Sequence, residues 1–384
     1  TIGTFIQYRK SRVVSIAPAV MYLSIESDFG QPVAGTCCTM CPEEEIKMRE
    51  RENILHPFEV APDHHPKRPK ADRHKMVKEY TRPAPGKEDP HPFQIRTPQA
   101  LVTTVNYLIN CVATRESHSW SEIYDFIFDR MRSVRQDMAV QDLEGKEAVE
   151  ILEKIVRFHV YSDYCLCTKP ISVFDPKINN QHTQECLKRL LNLYICHPEL
   201  TQNRAEFEAL YLLFNLGDTE ALRHSLNSST QLRHSQMVRK AYKASLAMLL
   251  GNWVQIWKTF HSFQHHPMLQ CALHRHFPDI QRHVLHVMNT AYSSKVLSVP
   301  TQYICQQLCM DEPELESLTS FLGLQVQHQR VTLSKTAIQH IPWIPRCHNA
   351  SIDKNLDKWT IPHLLLGSTD VKELERTLDS ALHL

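Results

Sequence analysis

Glycine is scarce in this chain, with nine residues in 384 against 22 prolines. So little glycine argues against a hairpin-rich β-fold, whose tight turns need positive φ, and against glycine-rich phosphate cradles. Neither GxGxxG nor GxxxxGK followed by Ser or Thr occurs, so the common nucleotide-binding loops are excluded. A charge imbalance is missing too: 43 Lys and Arg against 42 Asp and Glu leave a net +1, and no global field points to nucleic acid or to a membrane. Long apolar runs are absent. Val13 to Ile25, preceded by Arg9, Lys10 and Arg12, has the charge-then-apolar order of a signal peptide. Pro18 interrupts it, no clean small-residue cleavage site follows, and it is too short to span a bilayer. Residues 1–34 therefore read as a disordered or irregular leader. No paired-cysteine framework is visible either. The 12 cysteines are scattered, most of them inside apolar helical patterns, as small core hydrophobes of a reducing compartment are. A chain of this length can bury a core without disulfide or metal.

What the sequence does contain is helical periodicity. From Ser119 to Leu226 apolar residues recur at three- and four-residue steps. Trp120, Ile123, Tyr124, Ile127, Met131, Val134 and Met138 line one face of a single helix. Ser119 and Glu122 form a capping box that fixes its start. Its other face carries Glu122, Asp125, Asp129, Arg130, Arg132, Arg135 and Asp137, a charged face on which Asp129 can pair with Arg132. Further helices are expected over Pro98 to Val112, Lys146 to His159, after Asn179-Asn180, around Phe207 to Phe214, on both sides of Gly251, from Met268 to Phe277 and from Asp279 to Tyr292.

The pattern divides the chain. Residues 35–97 hold a compact cysteine-containing motif, a charged helix from Glu43 to Leu55, and a proline-rich basic stretch that reads as an extended strap lying over the helical body. Residues 98–295 read as a helical-repeat domain. Over 296–345 two short helices precede Leu324 to Gln327 and Arg330 to Leu333, which alternate at period two around His328-Gln329, the order of a winged helix. Residues 346–384 read as an irregular tail with a last short helix on Val371, Leu374, Leu378 and Leu382. The fold class expected is all-α.

Several blocks stand in a recognisable order. They are Gly35-Thr36-Cys37 with Met40-Cys41-Pro42; Val77-Lys78-Glu79-Tyr80; and Trp120 with Tyr124-Asp125-Phe126, Asp129-Arg130 and Arg135-Gln136-Asp137. Arg157-Phe158-His159, Lys177-Ile178-Asn179-Asn180, and Glu206-Phe207 with Tyr211 follow. Together they resemble the Sac-three/GANP (leucine-permease transcriptional regulator) family over roughly residues 35–350. Cys38 and Thr39 depart from that pattern, where Pro and Asp are usual. The resemblance implies a PCI-type architecture, helical repeats ending in a winged helix. The segment from Lys78 to Lys87 and the short length look closest to the family's short members, and imply work at the centrosome and mitotic spindle. The large members imply messenger-RNA export from the nucleus.

No catalytic constellation accompanies these blocks. Lys78, Glu79 and Tyr80 lack a nucleophile elbow, a metal triad or a phosphate cradle, so Tyr80 reads as an anchor of the strap, with Lys78 and Glu79 pairing locally. Cys38 to Cys41 is formally a CxxC, but no second pair follows at zinc-finger spacing; Cys37 and Cys41 read as packed thiols. His274, His276, His283 and His286 read as solvated or helix-capping rather than as metal ligands. Arg130, Arg132, Arg135 and Arg157 form either a solvated, partly paired face or a basic face for RNA. Lys67, Arg68, Lys70, Arg73 and Lys75 of the strap are the better candidates for sequence-independent RNA contacts. Thr301 to Leu322 holds no Lys or Arg but holds Asp311, Glu312, Glu314 and Glu316, the wrong sign for reading a DNA groove.

The expectation is a non-enzymatic scaffold without cofactor, metal or membrane attachment. Its favoured setting is centrosome duplication, the spindle and mitotic progression, with cytoplasmic and centrosomal localisation and centrosome or spindle components as partners. The alternative is a nuclear mRNA-export subunit that binds RNA, a second PCI protein and a small acidic protein lying against the winged helix. A metal-dependent enzyme is the remote third class.

Overall fold

The computed structural model describes residues 32–62, 69–82, 90–294, 297–333 and 344–367. Among them the molecule is predominantly helical, with three very short strands. The segment expected around Val371 to Leu382 lies outside the described residues.

The chain begins with an extended entry and helix α1 (Glu43–Glu52), then runs through single turns at Pro57–Glu59 and Pro92–Gln94. Pro98 at the first position and the Thr97 hydroxyl, which accepts from Ala100 N, start α2 (Pro98–Tyr107); this helix continues as a π-turn over Leu108–Val112. The capping box at Ser119 starts α3 (Trp120–Val140): Ser119 N donates to Glu122 Oε2 at 2.9 Å and Glu122 N donates back to Ser119 Oγ. The apolar face read from its periodicity is buried, with Ile127, Val134 and Met138 wholly enclosed.

Helix α4 (Gly145–Cys165) is the spine. From Ile151 to Tyr164 it is buried on nearly every side, with Glu153, Lys154, Arg157, His159 and Asp163 among the buried residues, and it packs against α2 and α5 (Pro176–Cys196). Beyond it, α6 (Arg204–Phe214), α7 (Thr219–Asn227), α8 (Thr230–His234), α9 (Gln236–Leu249) and α10 (Trp253–Ser262) succeed one another, with α6 and α10 packed on either side of α9. The turn before α7 passes through Gly217 at φ +82°, where a Cβ would stand 3.0 Å from the Met248 side chain; glycine meets both constraints. Helix α11 (Pro267–His274) returns to α4 and α6, and α12 (Phe277–Tyr292) leads out of the stack. One continuous apolar core runs through these helices.

Residues 297–333 form the end unit: β1 (Val299–Pro300), α13 (Thr301–Leu308), α14 (Glu312–Phe321), β2 (Gln325–Gln327) and β3 (Arg330–Thr332). The strands lie antiparallel in the order β1-β3-β2, with Val331 opposite both Val299 and Val326. The hairpin turns on His328 and Gln329, both at positive φ. Alternation had marked β2 and β3; β1, two residues long, left no periodic trace. Trp253 and Trp257 of α10 hold this unit to the stack through their indole N–H groups, which donate to the Gln307 side-chain and main-chain oxygens at 3.0 and 2.8 Å.

Within the described residues the tail is partly helical. Residues after Ile344 form α15 (Ala350–Leu356) and α16 (Ile361–Leu366), which pack on α11 and α4. Each is at most seven residues long, so neither shows a full amphipathic period; their signals were the caps Asn349 and Thr360.

Candidate functional site: a strap bound over helix α3

The charged face of α3 is exposed at Glu122 and Asp125 but not along its whole length. Arg130 and Asp137 are almost completely buried, because described parts of the chain between Val33 and Arg96 lie across them. The entry is fixed by main-chain bonds: Val33 N donates to Val140 O, Cys37 pairs with Arg96 in a parallel bridge, and Gly35 N donates to Gln141 Oε1. A Cβ on Gly35 would stand 2.6 Å from the carbonyl oxygens of both Ile95 and Arg96, so only glycine permits the approach.

Two ionic clusters lie under the strap. In the first, Asp137 accepts from Arg96 Nε at 2.7 Å and from Lys78 Nζ at 2.6 Å, while Arg96 also donates to Ser133 Oγ. In the second, Arg49 of α1 and Arg130 of α3 share Glu59 and Glu79. Glu59, fully buried, accepts from Arg49, from Arg130 at 3.2 Å and from Val77 N at 3.0 Å. Glu79 lies 3.0 Å from Arg49 and 2.9 Å from Arg130. Lys78 and Glu79 therefore pair across the chain with α1 and α3, not with each other. Asp129 pairs with Arg130 at 2.5 Å and accepts from Tyr80 N, which leaves the Arg132 guanidinium free to stack 3.8 Å from the Tyr80 ring centroid.

Such buried pairs repay their desolvation only when every partner is present; removing one costs about 3–5 kcal/mol. Their effect is to select one register of the strap, since no slid position could satisfy Glu59, Glu79 and Asp137 together. Cys41 closes the small satellite core of α1 with Ile46 and Met76, and burial raises its thiol pKa far above the usual range. Pro42 precedes α1 as its N-cap, and Cys37 is half-buried with its Sγ near Thr39.

Most of the remaining signature residues pack or pair between helices. Trp120 stands edge-on to Tyr161, and Tyr124 stacks on Phe158 while its hydroxyl donates to Asn179 Oδ1. Asn179, rather than its neighbour Asn180, bonds His159, by its side-chain oxygen at 2.7 Å and by its amide to the His159 carbonyl. Burial first, then the nearby Arg135 and His182, pushes the His159 pKa down to about 3. Arg135 is paired with Glu185 at 2.7 Å, and Glu185 is held down to about 2 chiefly by the hydrogen bond from His182. Arg157 forms a bidentate pair with Glu206 at 2.9 and 2.7 Å, lies over the Phe207 ring, and donates to Leu366 O. Tyr211 packs edge-on against His224, and Asp125 is exposed on α3.

The four arginines thus make no common basic face: Arg130 and Arg157 are buried pairs, Arg132 is stacked and Arg135 is paired. Among the strap cations, Lys70 lies 3.6 Å from Glu50, Arg73 pairs with Glu43, and Lys75 lies 2.8 Å from Asp72; Lys67 and Arg68 fall outside the described residues. Two of the four histidines grouped by sequence are not solvated. His274 bonds Cys347 O and His276 bonds the carbonyls of Leu213 and Phe214, each inside the helical stack. His283 and His286 are exposed.

Residues 40–328 match the SAC3/GANP family. The chain belongs to that family. It is 29% identical over 325 residues to Protein xmas of Drosophila melanogaster, covering 78% of this chain and 15% of that protein. It is 26% identical over 333 residues to SAC3 family protein 1 of Schizosaccharomyces pombe, covering 79% of this chain and 31% of the relative. SAC3 family protein B of Arabidopsis thaliana is 24% identical over 311 residues, covering 77% and 18%. This SAC3/GANP chain therefore spans about a third or less of the length of the curated relatives it matches. The matched region takes in both ionic clusters from α1 onward and nearly all of the end unit. Among the described residues no helix is long and apolar enough to cross a membrane.

Proposed function

We propose that this SAC3/GANP chain is a non-enzymatic scaffold of PCI type, with α2–α12 as the helical repeat and the unit from β1 to β3 as a winged helix that docks other proteins. The observation that carries this reading is the spending of the signature residues. Charged groups that could serve chemistry are used up against one another under the strap, which leaves the outer helices and the end unit for contacts. In that unit Tyr303, Phe321 and Val326 are exposed large side chains, a surface suited to a protein partner. The partners proposed are a second PCI protein and a small acidic protein against the winged helix.

The cellular setting follows from the family resemblance. The Lys78-to-Lys87 segment favours a centrosomal and spindle role in mitosis. Family membership also supports a nuclear mRNA-export role, with Lys67, Arg68, Lys70, Arg73 and Lys75 meeting RNA phosphates. Tagged protein imaged through the cell cycle separates the two: spindle-pole signal in mitosis is expected, and nuclear-rim staining throughout would transfer the assignment to export. For the RNA contact, affinity for a single strand should fall with salt at a log–log slope of about −0.7 per phosphate engaged. A flat salt response would remove RNA from the list of partners.

A further inference from the structure

From Ala221 to Pro278 the sequence contains no Asp or Glu, yet it carries Arg223, Arg233, Arg239, Lys240, Lys243, Lys258 and Arg275. In a chain of net charge +1 this concentrates cationic charge in helices α7–α11. Four of the seven are engaged. Arg223 pairs with Glu220, Arg233 bonds Thr230 Oγ1, Lys240 reaches Ser262 O at 3.3 Å, and Arg275 lies 3.8 Å from the Phe214 ring centroid. The other three, Arg239, Lys243 and Lys258, are exposed and have no acid within ion-pair distance among the described residues. They lie on the hairpin of α9 and α10, which turns at Gly251.

The same hairpin exposes an apolar tip. Arg239, Lys243, Leu246 and Leu250 follow at four-, three- and four-residue steps and share one face of α9 and its C-terminal turn; Val254 and Lys258 share one face of α10. Leu250 is 73% exposed, and Leu246, Leu249 and Val254 are exposed beside it. Leucine and valine offer no flat π-face for stacking a base, so the tip discriminates against single-stranded nucleic acid, which cations alone would accept. A helix with carboxylates toward one end and an apolar stripe toward the other meets both halves of the surface.

We propose that the α9–α10 hairpin is a docking site for an acidic amphipathic helix of a partner protein. Lys243 and Lys258, with Arg239, receive its carboxylates, and Leu246, Leu249, Leu250 and Val254 its apolar side chains. The proposal is independent of the winged-helix and cell-cycle readings, because it rests on this hairpin alone.

The test uses the full chain and three fluorescein-labelled probes: an amphipathic peptide of Leu and Glu, the same peptide with Gln for Glu, and an oligouridine. Fluorescence anisotropy should show the Glu peptide bound about tenfold more tightly than the Gln peptide, with the difference lost near ~0.5 M salt. Lys243→Glu with Lys258→Glu should abolish that preference and bind a Lys-for-Glu peptide instead. Leu250→Asn should weaken both acidic and neutral peptides. The swapped preference for the Lys peptide itself reports a folded double variant; were that variant not to fold, Leu250→Asn and the salt series still decide. Failure of the Glu peptide to bind overturns the proposal. So does tighter binding of oligouridine that Leu250→Asn leaves untouched, which would assign the face to nucleic acid. Self-association of the chain that the double variant abolishes would assign it to a second copy, and also overturns it.

Discussion

The strap over α3 and the α9–α10 hairpin are both rich in charge and put it to opposite use. Under the strap, Arg49, Arg96 and Arg130 are wholly or almost wholly buried, and each faces a carboxylate contributed by a different part of the chain. On the hairpin, Arg239, Lys243 and Lys258 are exposed, with no carboxylate within ion-pair distance among the described residues. Charge in the first place specifies an internal interface; in the second it remains available for an external one. Burial and complementarity, not the number of charges, separate the architectural region from the contact region.

Substitutions should expose that contrast in order of size. Arg130→Met leaves the fully buried Glu59 with one cation fewer, and chemical denaturation should show a loss of about 3–5 kcal/mol. Acidification comes next. His159 and His276 are buried neutral, each with its pKa depressed to about 3, by burial first and then by nearby cations. The unfolded chain binds protons on them near its ordinary value of about 6.5, so each contributes stability that is present above that value and lost as pH falls toward 3. At pH 5 each should cost about 2 kcal/mol, and His159→Gln should flatten the profile measured by thermal melts. Gly35→Ala forces a methyl into the carbonyls of Ile95 and Arg96. A loss of about 1–3 kcal/mol is expected, with faster proteolysis between residues 33 and 96 as the readout of a loosened strap. The smallest effect belongs to the hairpin: Lys243→Glu with Lys258→Glu should move stability by no more than about 0.5 kcal/mol. A large destabilisation there would show that these lysines, too, hold the fold.

Local signals carried far in this sequence. The Ser119 capping box, the apolar face of α3 and the alternation of the hairpin strands are each written within a dozen residues, and the structure places them close to where they were read. The strap was legible as an extended layer from its prolines. Its energetics were not. Arg49, Glu59, Glu79 and Arg130 meet from four separate segments, and no spacing rule joins them, so Arg130 and Asp137 read as solvent-facing when they are buried. Asn179 and Asn180 stand in the same block and could not be told apart by sequence, because they differ only in which face of α5 they occupy. The acid-free stretch after Glu220 was visible as composition alone and needed no structure to find. The structure was needed to show that three of its cations share a hairpin with exposed leucines.

The reach of α16 back to α4 has a consequence for synthesis. Arg157 is translated about two hundred residues before Leu366, to whose carbonyl it donates, and Asp163 and Tyr164 wait almost as long for Arg346 and Asn349. Until residues 344–367 leave the ribosome, the spine helix has polar groups lacking their final partners, so its packing is incomplete up to that point. A premature stop before Arg346 would therefore leave Asp163 and Tyr164 of the spine permanently without these partners.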